Sequence, residues 1–149
     1  MLDQNTSAQL KTLLERLEGP IELVATLNGS EKSDKIKELV EEVAALSPLV
    51  TARFDGKNSR APSFGVAKAG EEPRVFFAGL PMGHEFTSLI LALLQTSGYA
   101  PKVSDEVLAS IKGLGIQSDF DVFVSLSCHN CPDVVQALNL IAIYNPGTT

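Results

Sequence analysis

Two short apolar runs with an amphipathic stretch between them constrain the fold more than any other feature. Residues 21–27 form the first run, broken by Asn28-Gly29-Ser30-Glu31. Over residues 33–46, Ile36, Leu39, Val40, Val43 and Ala44 recur at helical spacing, with Glu and Lys between them. Residues 49–54 form the second run, closed by Asp55-Gly56-Lys57-Asn58. A strand, a helix and a strand in that order call for a right-handed crossover and a parallel strand pair. The flanking segments must then fit around that pair.

They do so in a recognisable order. Residues 6–19 predict a first helix, with Thr6 and Gln9 placed as a capping box, Leu10, Leu13, Leu14 and Leu17 on one face, and Gly19-Pro20 as its stop. After the parallel pair, residues 63–67 and 74–78 predict two strands joined at Gly70-Glu71-Glu72-Pro73 as a hairpin. Residues 84–96 then carry Phe86, Leu89, Ile90, Leu93 and Leu94 on a helical stripe. Helix, then strand-helix-strand, then strand-strand-helix is the thioredoxin-like α/β arrangement. Pro62 precedes the third strand, where folds of this kind carry a cis-proline.

The expected division is residues 1–100 as a first thioredoxin-like unit and 101–117 as a connecting segment with a short helix over 104–112. Residues 118–149 would then begin a second unit, with a strand over 120–126 and a final helix through 143. Shifting the chain by 99 positions lays Leu27 on Leu126, Asp34 on Asp133 and Leu39 on Leu138. A duplication accounts for these matches. One complete unit and the beginning of another predict a fragment of a longer chain.

The only two cysteines, Cys128 and Cys131, lie in Ser127-Cys128-His129-Asn130-Cys131-Pro132, at the second junction between strand and helix. Under the repeat register they fall opposite Gly29 and Lys32, so the first unit has the frame without the thiols. A C-x-x-C at such a junction suits thiol–disulfide exchange. Cys128 at a helix N-terminus would see unpaired N–H groups and the positive end of the dipole, which favour the thiolate. His129, when protonated, would add to this. Cys131 would be the more buried, resolving thiol, and Pro132 fits the first helical turn. Two other readings stay open. Zinc wants four ligands, and only His129 and the sequence-distant His84 are there to join the two sulfurs. The cysteines could also be structural.

Composition narrows the function classes. Twelve basic against eighteen acidic residues give a net charge of −6, with no basic cluster and no Trp. That argues against nucleic-acid binding, which needs cations for the phosphates. No apolar run is long enough to span a bilayer, and the opening Met1-Leu2-Asp3-Gln4-Asn5 lacks the order of a secretory signal, so a cytoplasmic setting is expected. Two cysteines in such a compartment point to catalysis or metal rather than a disulfide framework.

The run from Ser125 to Asn139, the segment Gly83-His84-Glu85-Phe86-Thr87-Ser88-Leu89 and the helical opening from Met1 resemble the N-terminal domain of the flavoprotein subunit of bacterial alkyl hydroperoxide reductase. The resemblance implies tandem thioredoxin-like folds, the first without cysteines, in an NADH-dependent peroxiredoxin reductase. Its C-terminal module would pass electrons from NADH through FAD to this domain, which would hand them to the disulfide of the peroxiredoxin partner. It further implies Cys128 as the attacking thiol, Cys131 as its partner, a homodimer in the longer protein, and Glu85 as an acidic residue near the pair that tunes the thiol or moves a proton. The plainer reading of Glu85 is a helix first-turn carboxylate favoured by the dipole. The chain has no G-x-G-x-x-G fingerprint, so FAD and NADH are expected only in the missing module. The contrasting expectations are a non-catalytic thioredoxin-like binding module and a small standalone glutaredoxin-like protein. The second is disfavoured because the cysteine pair lies so near the C-terminus.

Overall fold

A computed structural model describes residues 2–149; the predicted helical opening at Met1 lies outside the described residues. The elements are α1 (Gln4–Leu14), β1 (Ile21–Thr26), α2 (Glu31–Ala45), β2 (Val50–Arg53), β3 (Ser63–Lys68), β4 (Val75–Phe77), a 3-10 turn (Gly83–Glu85) running into α3 (Phe86–Thr96), then α4 (Asp105–Lys112) and α5 (Cys131–Tyr144). The strands form one sheet in the order β2-β1-β3-β4. β1 pairs parallel with β2, Ile21 opposite Val50, and antiparallel with β3, Thr26 opposite Ser63. β3 and β4 close the sheet as an antiparallel hairpin, Phe64 opposite Phe77. The parallel pair and the antiparallel hairpin are those expected from the alternation of apolar runs and amphipathic stretches.

β1 is buried from Ile21 to Ala25, as a central strand covered on both faces must be. Its one charged residue is accommodated: Glu22 pairs with Arg53 at 3.1 Å and accepts the Gly70 N–H at 2.7 Å. Leu10 of α1, Ile36 and Leu39 of α2, Phe64 of β3 and Leu93 of α3 are almost fully buried and share one core. α5 packs against α3 and reaches β4. Arg74 fixes its far end by donating to the carbonyls of Ala142 and Ile143, both at 2.8 Å. The Ala61–Pro62 bond is cis, as the fold led us to expect.

Three local expectations are corrected. The N-cap of α1 is Asp3, whose carboxylate accepts the Thr6 N–H at 2.6 Å. Thr6 therefore sits inside the helix rather than capping it, and the helix ends at Leu14 instead of residue 19. Ser30 caps α2 in the same manner. The third correction is larger. Residues 120–126 carry the apolar content of a strand but form none: among the described residues no neighbouring strand satisfies their N–H and C=O groups. Phe120, Val122, Phe123, Val124 and Leu126 are all exposed, Phe123 by 81%. The segment is tied only at intervals. Ser118 bridges in parallel to Thr148, the Phe120 N–H donates to the Thr149 carbonyl at 2.9 Å, and Arg60 grips Asp121 through two hydrogen bonds of 3.2 and 2.8 Å.

Candidate functional site

The site is assembled at the start of α5. Asn130 holds helical backbone angles at the N-cap without a capping bond from its side chain, and Pro132 occupies the first turn, where its missing N–H costs nothing. A turn closes just ahead, with the Cys128 N–H donating to the Ser125 carbonyl at 3.0 Å. Cys128 and Cys131 are joined as a disulfide, with their Cα atoms 5.5 Å apart. The Cys131 N–H, one of the orphan donors at the helix start, points at the Sγ of Cys128 at 3.2 Å. Both cysteines are half-buried, so the burial contrast expected between them does not appear. What separates them is position. Cys128 lies outside the helix and receives the helix's N–H; Cys131 is part of its first turn.

That arrangement suits exchange chemistry. An N–H donor and the positive helix end face the Cys128 sulfur, surroundings of the kind that favour a thiolate over a thiol. Cys131, one turn on, is placed to close the ring again.

The structure brings one sequence-distant residue, His84, to this loop. His84 is not remote: its ring lies against that of His129, with centroids 4.5 Å apart and planes tilted by 59°. Its backbone N–H donates to the Leu126 carbonyl at 3.2 Å. Among the described residues, no group of three or more His, Cys, Asp or Glu side chains gathers as a metal site. Next to His84, Glu85 is only 3% exposed, and neither carboxylate oxygen has a hydrogen-bond partner among the described residues. It stands at the N-cap position of α3, where the helix dipole favours a carboxylate, but its side chain makes no capping hydrogen bond. Glu85 lines a groove between β4, residues 119–126 and α5, where Leu80, Leu126 and Val135 are also found.

The junction between β1 and α2 is differently furnished. Gly29 takes a φ of +78°, Ser30 caps α2, and Asn28 donates from its side-chain amide to the Ala61 carbonyl beside the cis-proline at 3.3 Å. Sequence reading missed the contact of His84 with His129 and the Arg60–Asp121 tie. No signal in one sequence reports such pairings across 45 and 61 positions.

A mixed sheet of this order, with a C-x-x-C disulfide at a helix N-terminus, defines a thioredoxin-like disulfide protein. A solved structure of a protein disulfide oxidoreductase from Aeropyrum pernix shares the fold, with a TM-score of 0.77 at 19% identity, covering the whole of this chain and 75% of that one. The particular resemblance is to AhpF, a subunit of alkyl hydroperoxide reductase. The matching alkyl hydroperoxide reductase subunit of Pseudomonas putida is 51% identical over 146 residues, which is 98% of this chain and 28% of the relative. A structure described as the NTD_N/C domain of AhpF from Enterococcus faecalis matches with a TM-score of 0.87 at 27% identity, covering 99% of this chain and 77% of that one. No protein-family model matches the chain. The chain thus spans under a third of the length of the curated relatives it matches, and its similarity to the N-terminal domain of AhpF extends over nearly all of its residues.

Proposed function

We propose that this chain is a disulfide oxidoreductase domain that carries electrons from a flavoprotein module to the disulfide of a peroxiredoxin. The observation that carries the reading is the Cys128–Cys131 disulfide at the start of α5, with the Cys131 N–H directed at the Cys128 sulfur. The reaction balances over the two sulfurs. In the dithiol form, the Cys128 thiolate attacks one sulfur of the peroxiredoxin disulfide. A mixed disulfide forms, the partner's S–S bond breaks, and the released thiolate takes up a proton. Cys131 then loses its proton and attacks the Cys128 sulfur, expelling the partner's second thiolate, which is protonated in turn. The partner gains two electrons and two protons; Cys128 and Cys131 end as the disulfide. Reduction back to the dithiol needs a two-electron donor, assigned to FAD and NADH in the longer protein. No residue of this chain is assigned to either cofactor.

Glu85 is proposed as the group that moves a proton or tunes the thiol pair, a role supported by its burial without a partner next to His84. His129 is proposed to modulate Cys128 through its charge. The proposed organisation keeps residues 1–100 as the silent unit, 101–117 as the connector and 118–149 as the opening of the redox unit, in a cytoplasmic homodimer. No helix among the described residues is long and apolar enough to cross a membrane.

The test is reduction of a peroxiredoxin disulfide by the dithiol form of this chain, followed by counting the thiols that appear on the partner. Two new thiols per chain oxidised are expected. No transfer, with Cys128 and Cys131 remaining reduced, would leave the binding-module reading in its place.

A further inference from the structure

The two junctions between an extended segment and a helix in this chain are held differently. Ahead of α2, β1 fixes the loop through a ladder to strands on both sides. Ahead of α5, residues 120–126 pair with no strand among the described residues. The hydrogen bonds of residues 125–130 mostly stay inside the loop: Ser125 Oγ with Ser127 Oγ, Ser127 N–H to Ser125 Oγ, and Cys128 N–H to the Ser125 carbonyl. Among the described residues, one hydrogen bond leaves that loop for a distant part of the chain, and it is the one that the Leu126 carbonyl accepts from the His84 N–H.

Gly83 stands at the same contact. Its φ is +58°, in the left-handed region, and a Cβ there would lie 2.9 Å from the Leu126 carbonyl oxygen. The obstacle is backbone, which cannot rotate aside, so only glycine allows both the approach and the conformation. One residue on, the His84 ring lies against His129, the neighbour of Cys128. Backbone and side chain of one short turn therefore hold both ends of residues 126–129.

We propose that Gly83 and His84, contributed by the unit without thiols, are positioning residues for the redox loop, holding residues 126–129 so that Cys128 stays against the first turn of α5. The inference rests on the exchange role proposed above. It gives the 3-10 turn at Gly83–Glu85 a part in holding the redox loop. Without that hold the loop loosens, the Cys131 N–H is aimed at the Cys128 sulfur for less of the time, and the thiolate loses part of its stabilisation.

The experiment compares the reduced chain with Gly83→Ala, His84→Ala and His84→Phe variants, reading the pH profile of Cys128 alkylation. The acidic groups flanking the loop, Glu85 on the turn and Asp133 on α5, are unchanged in all of them. Gly83→Ala is expected to move the alkylation midpoint to higher pH and slow the reaction at neutral pH about tenfold, the effect of about one pKa unit on the thiolate fraction. His84→Ala should slow it about threefold, and His84→Phe, which keeps a ring against His129, should return it to within about twofold. Circular dichroism checks that each variant is folded. Should Gly83→Ala not fold, the exposed His84 pair decides the matter. Alkylation within about twofold of wild type in His84→Ala would overturn the proposal, as would a Phe variant as slow as the Ala variant. Failure of the exchange role looks different: the wild-type dithiol would leave a peroxiredoxin disulfide intact while the variants still shifted the alkylation profile.

Discussion

Replacing Glu85 by Met separates what this residue costs from what it contributes. Glu85 is 3% exposed, and neither carboxylate oxygen has a partner among the described residues. A buried polar group left unsatisfied costs about 1–3 kcal/mol, more if it carries charge. Methionine has a similar length, is no smaller and has no such groups, so the substitution removes the penalty without opening a cavity. For a domain of this size each kcal/mol moves the melting temperature by about 2–4 °C, so a gain near 2 kcal/mol corresponds to about 4–8 °C. Thermal unfolding followed by far-UV circular dichroism reads the shift, and urea titration at constant slope checks that it reflects stability rather than a changed unfolded state. The same variant should transfer electrons to a peroxiredoxin disulfide more slowly than wild type. A Glu85→Met chain that melts at or below the wild-type temperature would refute the reasoning, because the carboxylate would then have a stabilising partner. A more stable chain with unchanged exchange would leave Glu85 without a part in the chemistry.

Other outcomes follow from the packing and the charges. Leu93→Ala removes a side chain with no exposed surface and should lower stability by about 2–5 kcal/mol in urea unfolding, while Phe123→Ala, at an exposed position, should change it by less than about 0.5 kcal/mol. Equal effects at the two sites would mean that the core is not where these residues place it. Asp121 should titrate below the ordinary aspartate range, because hydrogen bonds from Arg60 and then its charge favour the carboxylate. With the folded value depressed, the stabilisation is present above the unfolded pKa and is lost as pH falls through the folded one. Acid should therefore release residues 119–123 from Arg60, seen as faster amide exchange there. An Asp121 that titrates at the ordinary value by NMR, or one unaffected by Arg60→Ala, would contradict the ion pair.

The sheet was legible because each of its strands is an apolar run bounded by turn residues, and because the helix between β1 and β2 leaves one sensible pairing. The 120–126 segment was misread for an instructive reason. Its apolar content is that of a strand, yet a strand is a property of two segments, and composition says nothing about whether a neighbour is present. The cysteine pair was legible from spacing and junction alone. Its surroundings were not. Nothing in Gly83-His84-Glu85 reports that its glycine meets the Leu126 carbonyl, that its histidine meets His129, or that its glutamate is buried; as a sequence it looks like the solvated start of a helix. Asp3 displaced Thr6 as the first cap because both are good caps three residues apart, and α1 takes the earlier one.

The central claim is that Cys128 attacks and Cys131 resolves. Removing the resolving thiol tests it most directly. A Cys131→Ser chain mixed with an oxidised peroxiredoxin should accumulate a one-to-one mixed disulfide, visible as a single adduct by intact mass, with the link mapped to Cys128. The Cys128→Ser chain should form no such adduct on the same timescale. Adduct formation through Cys131 in the Cys128→Ser chain, at the rate of the other variant, would contradict this assignment of roles.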